Sequence, residues 1–182
     1  SSAKAFDVQP RKLFLPPHEH RFVKVYFSPQ TLQNYSAIFE ASAVDGADNN
    51  SNKLRFELRG DGSLPQISIV QPALRDNANR PLVKFPRTLV GRKAEVPVVI
   101  KNDGVLNASF MFEMPSPSIS LDFPHRGKEI TLEPGQVEQF LFYFSPQGEE
   151  KIETELKLIV PDNHFEDTVI KVFAEGYAED VT

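Results

Sequence analysis

The stretch "VYFSPQ" at Val25–Gln30 occurs a second time, almost unchanged, as "FYFSPQ" at Phe142–Gln147, 117 residues further along the chain. Each copy joins alternating apolar residues to a proline, which indicates a core strand followed by the turn that stops it. Because proline has no N–H to give to a strand ladder, pairing is expected to end there in both copies. The repeat therefore predicts a structural unit written twice rather than a duplicated catalytic motif.

The sequence around both copies alternates apolar and polar residues with a period of two, which is typical of strands that bury one face. Phe140, Phe142 and Phe144 share one face of the second copy. Three further sets of residues alternate in the same way and are predicted to point inward: Leu54, Phe56 and Leu58; Val96, Val98 and Ile100; Ile152, Thr154, Leu156, Leu158 and Val160. The chain also holds 15 prolines and 9 glycines. Short strands punctuated in this way predict an all-β sandwich with almost no helix.

The two copies can be aligned well beyond the opening stretch. At the offset of 117, Phe6 matches Phe123, and the residues that match Phe140, Phe142 and Phe144 are Val23, Val25 and Phe27. We therefore expect Phe27 and Phe144 to be buried at equivalent places. A self-similar unit of this size predicts tandem domains, with residues 1–63 forming the first and residues 64–182 the second.

The first domain is predicted to be partial. The second copy has about 55 residues before Phe123, whereas the first has five before Phe6, so the front strands of the first sandwich are missing from this sequence. A two-sheet core needs more apolar surface than four strands provide. We expect this half domain to pack against the neighbouring domain or to expose an apolar face.

Composition excludes several classes of function. The chain has no cysteine, so neither disulfides nor thiolate metal sites can form, which fits a reducing compartment. The net charge is −5, and no basic run of the kind that binds nucleic acid is present. No apolar stretch approaches the length of about 18 residues that a membrane span needs.

Candidate chemical sites are few. His18 and His20 lie on one side of an extended "HEH", but His18 matches Gly135 of the second copy, which favours a turn over half of a metal site. The serines of "PSPSIS" at 115–120 have no paired base, and "GDG" at 60–62 lacks the lysine of a phosphate loop. We therefore expect no catalytic residue, metal or cofactor.

Candidate contact residues are aromatic or apolar side chains predicted to point away from the core. Tyr26, Leu141 and Tyr143 lie opposite the inward faces of their strands. Met111 and Phe112, within "MFEMPSPSI", form a second candidate as a contact loop. The acidic group Glu149, Glu150, Glu153 and Glu155 alternates with lysines, which favours the wet face of a strand over a binding site.

An ordered set of elements resembles a known family. The set comprises "VPVVIKNDG", "LEPGQ", "FLFYFSP" and "VIKVFAEGY". In this order the elements are similar to the ASH/MSP-type module, an immunoglobulin-like sandwich also described as PapD-like. The resemblance covers residues 66–178 as a whole module and residues 6–62 as a partial one.

The resemblance implies a non-catalytic scaffold in the cytoskeleton, at the axoneme of motile cilia, within a very long repeat-built protein of the central-pair apparatus. Its partners would be other axonemal or cytoskeletal proteins or neighbouring modules of the same chain, with no nucleic acid, membrane or small-molecule substrate. Two alternatives stay open: an MSP-type adaptor that binds short acidic peptides, and a centrosomal or cytoskeletal adaptor.

Overall fold

The computed structural model describes residues 4–44 and 53–179. The chain divides into two compact units, Ser1–Ser63 and Leu64–Thr182. The strands of the first unit are β1 (Phe6–Gln9), β2 (Lys24–Phe27), β3 (Asn34–Ser42) and β4 (Lys53–Asp61). Those of the second unit are β5 (Ile67–Gln71), β6 (Leu82–Lys84), β7 (Thr88–Leu89), β8 (Ala94–Asn102), β9 (Ala108–Glu113), β10 (Leu121–Asp122), β11 (Ile130–Leu132), β12 (Val137–Phe144), β13 (Glu150–Ile159) and β14 (Thr168–Tyr177). A short 3-10 turn at His164–Glu166 precedes β14.

The second unit is an immunoglobulin-like sandwich of two sheets. One sheet has the strand order β10-β12-β8-β5, and the other has the order β11-β9-β13-β14-β6. Neighbouring strands are antiparallel except at β14, which pairs in parallel with β6 and β7. Residues from both sheets form one continuous buried cluster. The predicted all-β sandwich is therefore confirmed.

Phenylalanines fill the centre of this sandwich. Phe140, Phe142 and Phe144 alternate with half-buried residues along β12, and all three are buried. Phe112 of the opposite sheet makes edge-to-face contacts with Phe140 and Phe142, with ring centroids 5.4 and 5.5 Å apart. This geometry is the one that aromatic rings favour. The prediction that these three residues of β12 point inward is confirmed.

The first unit consists of two separate two-stranded sheets, β1-β2 and β3-β4. The ring of Phe27 connects them. It stacks on Phe6 of β1 at 4.9 Å and meets Tyr35 of β3 edge-on at 5.6 Å. A Cβ atom added to Gly60 of β4 would lie 2.7 Å from the Phe27 ring, so this close approach requires glycine.

The prediction that Phe27 is as deeply buried as Phe144 is wrong. Phe144 is 0% exposed, whereas Phe27 is 36% exposed. Other predicted inward residues of this unit are exposed as well: Val23 just before β2, Val25 of β2, and Leu54 and Phe56 of β4, whereas Leu58 of β4 is half-buried. The reason is the number of covering strands, because each sheet of the first unit has two strands where the sheets of the second have four or more. The expectation that the first unit exposes an apolar face is thereby confirmed.

The repeated turn before the core strand is also confirmed. His18 has φ of 63° and Gly135 has φ of 79°, so both occupy the left-handed region at matching positions. In the second unit Gln136 N–H donates to the Glu133 carbonyl, and in the first Glu19 N–H donates to the Pro16 carbonyl. His18 is therefore a turn residue.

A hydrogen-bonded corner follows the proline in each unit, built from different side chains. In the first unit the buried Tyr35 hydroxyl accepts from the N–H groups of Gln30 and Thr31, at 3.1 and 3.0 Å. In the second unit the Glu150 carboxylate accepts from Gln147 N–H at 3.0 Å. Gln30 and Gln147 are matching residues of the repeat, so a phenol and a carboxylate satisfy the same backbone group.

Phe144→Ala should lower the free energy of unfolding of the second unit by about 3–5 kcal/mol, because it leaves a cavity in the core. Phe27→Ala is the matched variant, and it should cost the first unit only about 1–2 kcal/mol, since part of that ring is already in water. Urea unfolding followed by circular dichroism measures both. Equal costs would contradict the difference in burial.

Tyr35→Phe should destabilise the first unit by about 1–3 kcal/mol, because the N–H groups of Gln30 and Thr31 lose their acceptor. Tyr26→Phe, which removes the hydroxyl of an exposed tyrosine, serves as the control and should change stability by less than about 0.5 kcal/mol. Thermal unfolding compares the two variants. If Tyr35→Phe behaved like Tyr26→Phe, the corner would contribute nothing to stability.

Candidate interaction surfaces

The structure separates the five predicted contact residues. Leu141 and Tyr143 lie together on β12, half-buried and facing away from the sandwich core. Tyr26 is exposed on β2 of the first unit. Met111 is half-buried on the outward face of β9. Of the five, Leu141 and Tyr143 alone share one face of one strand.

The prediction that Phe112 is a contact residue in a loop is wrong. It is 0% exposed and lies in the centre of the core, so it offers no contact surface to a partner. Met111 and Phe112 belong to strand β9 rather than to a loop. Since neighbouring residues of a strand point to opposite faces, the two side chains cannot act on the same side.

Cross-strand pairing extends the surface around Leu141 and Tyr143. Leu141 lies opposite Pro97 of β8, and the next outward pair of the ladder joins Gln139 to Val99. We call Pro97, Val99, Leu141 and Tyr143 the outer patch. All four are half-buried. Because they come from two adjacent strands, the outer patch is a shallow, rigid, apolar area on the outside of the sheet β10-β12-β8-β5.

A lysine lies over one end of the outer patch. Lys93 Nζ is 3.8 Å from the centre of the Tyr143 ring, which is within the range of a cation–π interaction. Glu95 lies directly opposite Tyr143 on β8. Lys93 and Glu95 therefore place charged side chains at this end of the patch.

The outer face of the other sheet is charged and carries several ion pairs. Lys171 Nζ donates to the Glu155 carboxylate at 2.9 Å, and Arg80 lies 3.6 Å from the same group. The hydrogen bond from Lys171 is the main cause that lowers the pKa of Glu155. Arg87 pairs with Glu175 at 3.2 Å. Three bases of this face therefore lie against glutamates, whereas Lys84 and Lys151 lie over the Phe173 ring.

The four predicted acidic residues do not act as one group. Glu150 accepts hydrogen bonds from Ser120 and from Gln147 N–H, whereas Glu155 is held by Lys171. Among the residues described, no group of three histidine, aspartate or glutamate side chains is placed to hold a metal ion. His18 and His20 are exposed.

Sequence reasoning found the two residues of the outer patch on β12 and missed Pro97 and Val99 on β8. The alternation along β8 indicated that these two residues point outward. Which strand lies beside β12, and in which register, depends on pairing between residues about 40 positions apart. No local pattern carries that information.

Comparison with known proteins gives two strong sequence matches. The chain is 30% identical to the human hydrocephalus-inducing protein homolog over 203 aligned residues, and 29% identical to the mouse hydrocephalus-inducing protein. Each match covers 97% of this chain and 4% of the relative. No protein-family model matches the chain.

Solved structures give weaker likenesses. The ASH/PapD-like domain of human CEP192 superposes with a TM-score of 0.46 and 11% identity, covering 65% of this chain and 89% of that one. A FixG-related protein from Vibrio parahaemolyticus gives a TM-score of 0.41 and 10% identity, covering 63% of this chain and 98% of that one.

No helix within residues 4–44 and 53–179 is both long and apolar enough to cross a membrane.

Three features of the sequence most resemble hydin, the hydrocephalus-inducing protein: the tandem order of the modules, the junction "GDGSLPQISI" and the closing stretch "PDNHFEDTVIKVFAEGYAEDVT". The chain spans about 4% of the length of the relatives it matches. The resemblance is confirmed: over 97% of its length, this chain is similar in sequence to a short segment of the hydrocephalus-inducing proteins.

Proposed function

We propose that this chain is a non-catalytic scaffolding segment of a large protein of the ciliary axoneme. It would act in the central-pair apparatus of motile cilia and dock partner proteins through tandem immunoglobulin-like modules. The similarity to hydrocephalus-inducing proteins over nearly the whole chain supports this proposal most directly. The resemblance to ASH/MSP modules agrees with it.

The mechanism we propose is surface complementarity without chemistry. The outer patch of the second unit offers Leu141 and Tyr143 on a sheet whose inner side is fully packed. An apolar area held on a rigid sheet loses little conformational entropy when a partner binds. Tyrosine is among the residues that carry most energy at interfaces. The partners would be axonemal or cytoskeletal proteins, or neighbouring modules of the same long chain.

Affinity in such a scaffold would come from several modules together. A single shallow patch of a few side chains binds weakly, because an interface of standard size buries about 1,600 Å² in total. Linking many modules in one chain makes later contacts effectively intramolecular and raises the overall avidity. A weak contact at each module is therefore enough to place a partner along the chain.

An MSP-type adaptor for acidic peptides is less well supported. Such a site needs basic side chains free to meet carboxylates, but Arg80, Arg87 and Lys171 of the second unit each lie against a glutamate. A centrosomal or cytoskeletal adaptor stays an alternative that localisation would decide.

Leu141→Asp in the full-length protein should reduce labelling of neighbouring axonemal proteins when a proximity-labelling enzyme is inserted beside this segment in ciliated cells. The added carboxylate places a charge in the outer patch and should weaken the contact of this module about tenfold, a difference of 1.4 kcal/mol. Labelling of the protein that this module contacts should fall, whereas proteins held by other modules should stay labelled. Quantitative mass spectrometry of the biotinylated proteins measures the change.

Val169→Asp is the matched control, because Val169 is also half-buried but lies on the outward side of β14 in the other sheet. It should leave the labelling unchanged. Equal losses for both variants would contradict the assignment to the outer patch. Centrosomal proteins labelled in place of axonemal ones would favour the centrosomal alternative.

The acidic-peptide alternative has its own test. Immobilised peptides with short acidic motifs should retain no more of the 182-residue chain than peptides in which the acids are replaced by amides, because Arg80, Arg87 and Lys171 already lie against glutamates and the net charge of the chain is −5. Saturable retention that depends on the acids and is lost in Lys171→Ser would support the adaptor function instead.

A further inference from the structure

The loop between β9 and β10 carries a serine with a proline on each side. These residues are Pro115, Ser116 and Pro117, at the start of the stretch "PSPSIS". All three are exposed. Neither the core of the second unit nor the outer patch uses them. The loop therefore holds a serine hydroxyl at the surface, in a segment that packing does not restrain.

The segment 115–117 is also free of hydrogen bonds to the rest of the fold. Its two prolines have no N–H, and among the residues that the structure describes, no hydrogen bond reaches the backbone or the hydroxyl of Ser116. The next residue, Ser118, is the first to be held. Its carbonyl accepts from Leu121 N–H at 3.2 Å, and its hydroxyl accepts from Ser120 N–H at 3.3 Å. The segment can leave the surface without breaking a hydrogen bond, so local opening costs little free energy.

The second unit has one other serine that precedes a proline, and that serine is held in place. Ser145 is half-buried and Pro146 is buried. Ser145 N–H donates to the Ser120 carbonyl at 2.8 Å. A Cβ atom added to Gly176 of β14 would clash with Pro146, so the proline ring packs closely on that strand. An enzyme can reach Ser145 only after the end of β12 opens.

A proline directly after a serine is a recognisable feature for an enzyme that modifies the hydroxyl. Pro117 has no N–H and disfavours the helical conformation at Ser116. A substrate cleft that offers no acceptor at this position selects proline, because any other residue would bury an unpaired N–H there. Protein kinases must also align the accepting hydroxyl with the γ-phosphorus of the nucleotide. A segment that detaches from its own fold can be aligned in this way.

We propose that Ser116 is an acceptor site for a protein kinase that selects serine followed by proline. The transfer forms a bond between Ser116 Oγ and the γ-phosphorus of a nucleoside triphosphate. It breaks the bond from that phosphorus to the oxygen of the β-phosphate, so a nucleoside diphosphate leaves, and a base of the kinase takes the hydroxyl proton. The modification requires the loop alone and does not depend on the scaffold function or on the outer patch.

The surroundings of the loop leave the added phosphate in solvent. The loop borders a shallow groove with one basic residue, lined by Pro117, Ser118, Ile119, Leu121, Asp122 and Arg126. Arg126 is already engaged, because it donates to the Leu121 carbonyl, lies 3.6 Å from Asp122 and covers the Phe123 ring. Phosphoserine carries a charge of about −1.5 to −2 at pH 7. Phosphorylation therefore makes the loop beside Ile119, which is 89% exposed, strongly anionic without unfolding the unit.

A purified serine/threonine kinase of the proline-directed class, supplied with magnesium and ATP, tests the proposal on the 182-residue chain carrying Ser28→Ala. This substitution removes the Ser-Pro pair of the first unit, so both remaining pairs belong to one folded unit. Trypsin places Ser116 and Ser145 in separate peptides, residues 102–126 and 129–151, and fragment-ion mass spectrometry locates the phosphate. The initial rate at Ser116 should be at least about tenfold higher than at Ser145, because Ser145 waits for local opening.

Blocked peptides of residues 113–122 and 142–151 correct for any preference of the kinase for one sequence. The rate at Ser116 should be similar in the peptide and in the chain. The rate at Ser145 should be at least about tenfold lower in the chain than in its peptide. Ser116→Ala should abolish phosphorylation of residues 102–126. Ser118→Ala is the matched control, since it removes a neighbouring hydroxyl that precedes isoleucine, and it should leave the phosphorylation unchanged.

Three results would overturn the proposal. One is an equal ratio of chain rate to peptide rate for the two serines, another is phosphate on Ser118 in place of Ser116, and the third is no phosphate on Ser116 of the chain. Thermal unfolding gives an independent check. The phosphorylated chain should melt within about 3 °C of the unmodified chain, as a surface change does in a protein of this size. A larger fall would show that the loop is packed, against the proposal.

Discussion

Covering the inner face of each strand is the constraint on which the rest of this structure depends. An alternating strand hides one row of side chains only when a second sheet lies over it and neighbouring strands flank it. The copy of "YFSP" in the second unit meets this condition in full, and the copy in the first unit meets it in part. The same Phe is 0% exposed in β12 and 36% exposed in β2. Burial in this protein is therefore a property of the number of strands around a residue, and local sequence decides only which side faces inward.

Strand faces and turns were predictable from the sequence wherever a few neighbouring residues decide them. The alternation along β8, β12 and β13 identified the buried face of each strand. The match of His18 with Gly135 predicted a turn, because both residue types are among those found at positive φ in turns. The corner after the proline shows how far such local equivalence extends, since Tyr35 and Glu150 satisfy the same backbone group with different chemistry. A search for identical residues would have missed it.

Long-range features were not predictable in the same way. The parallel pairing of β6 and β7 with β14 joins residues about 90 positions apart, and no periodicity records it. The same holds for the outer patch, where alternation pointed to Leu141 and Tyr143 but not to Pro97 and Val99. Phe112 was misplaced for a different reason. The prolines that follow it indicated a loop, but β9 continues to Glu113, so strict alternation through Met111 would have placed Phe112 inside.

The backbone beneath the outer patch decides which contacts a partner can make there. The outer patch lies on a sheet whose central strands β12 and β8 are paired on both sides, so a partner gains only side-chain contacts there. Such contacts tolerate variation in the partner and suit weak docking repeated along a scaffold. A partner that added a strand would need an unpaired edge, an extended conformation and the right register. The outer patch therefore selects its partner by shape and apolar surface rather than by backbone pairing.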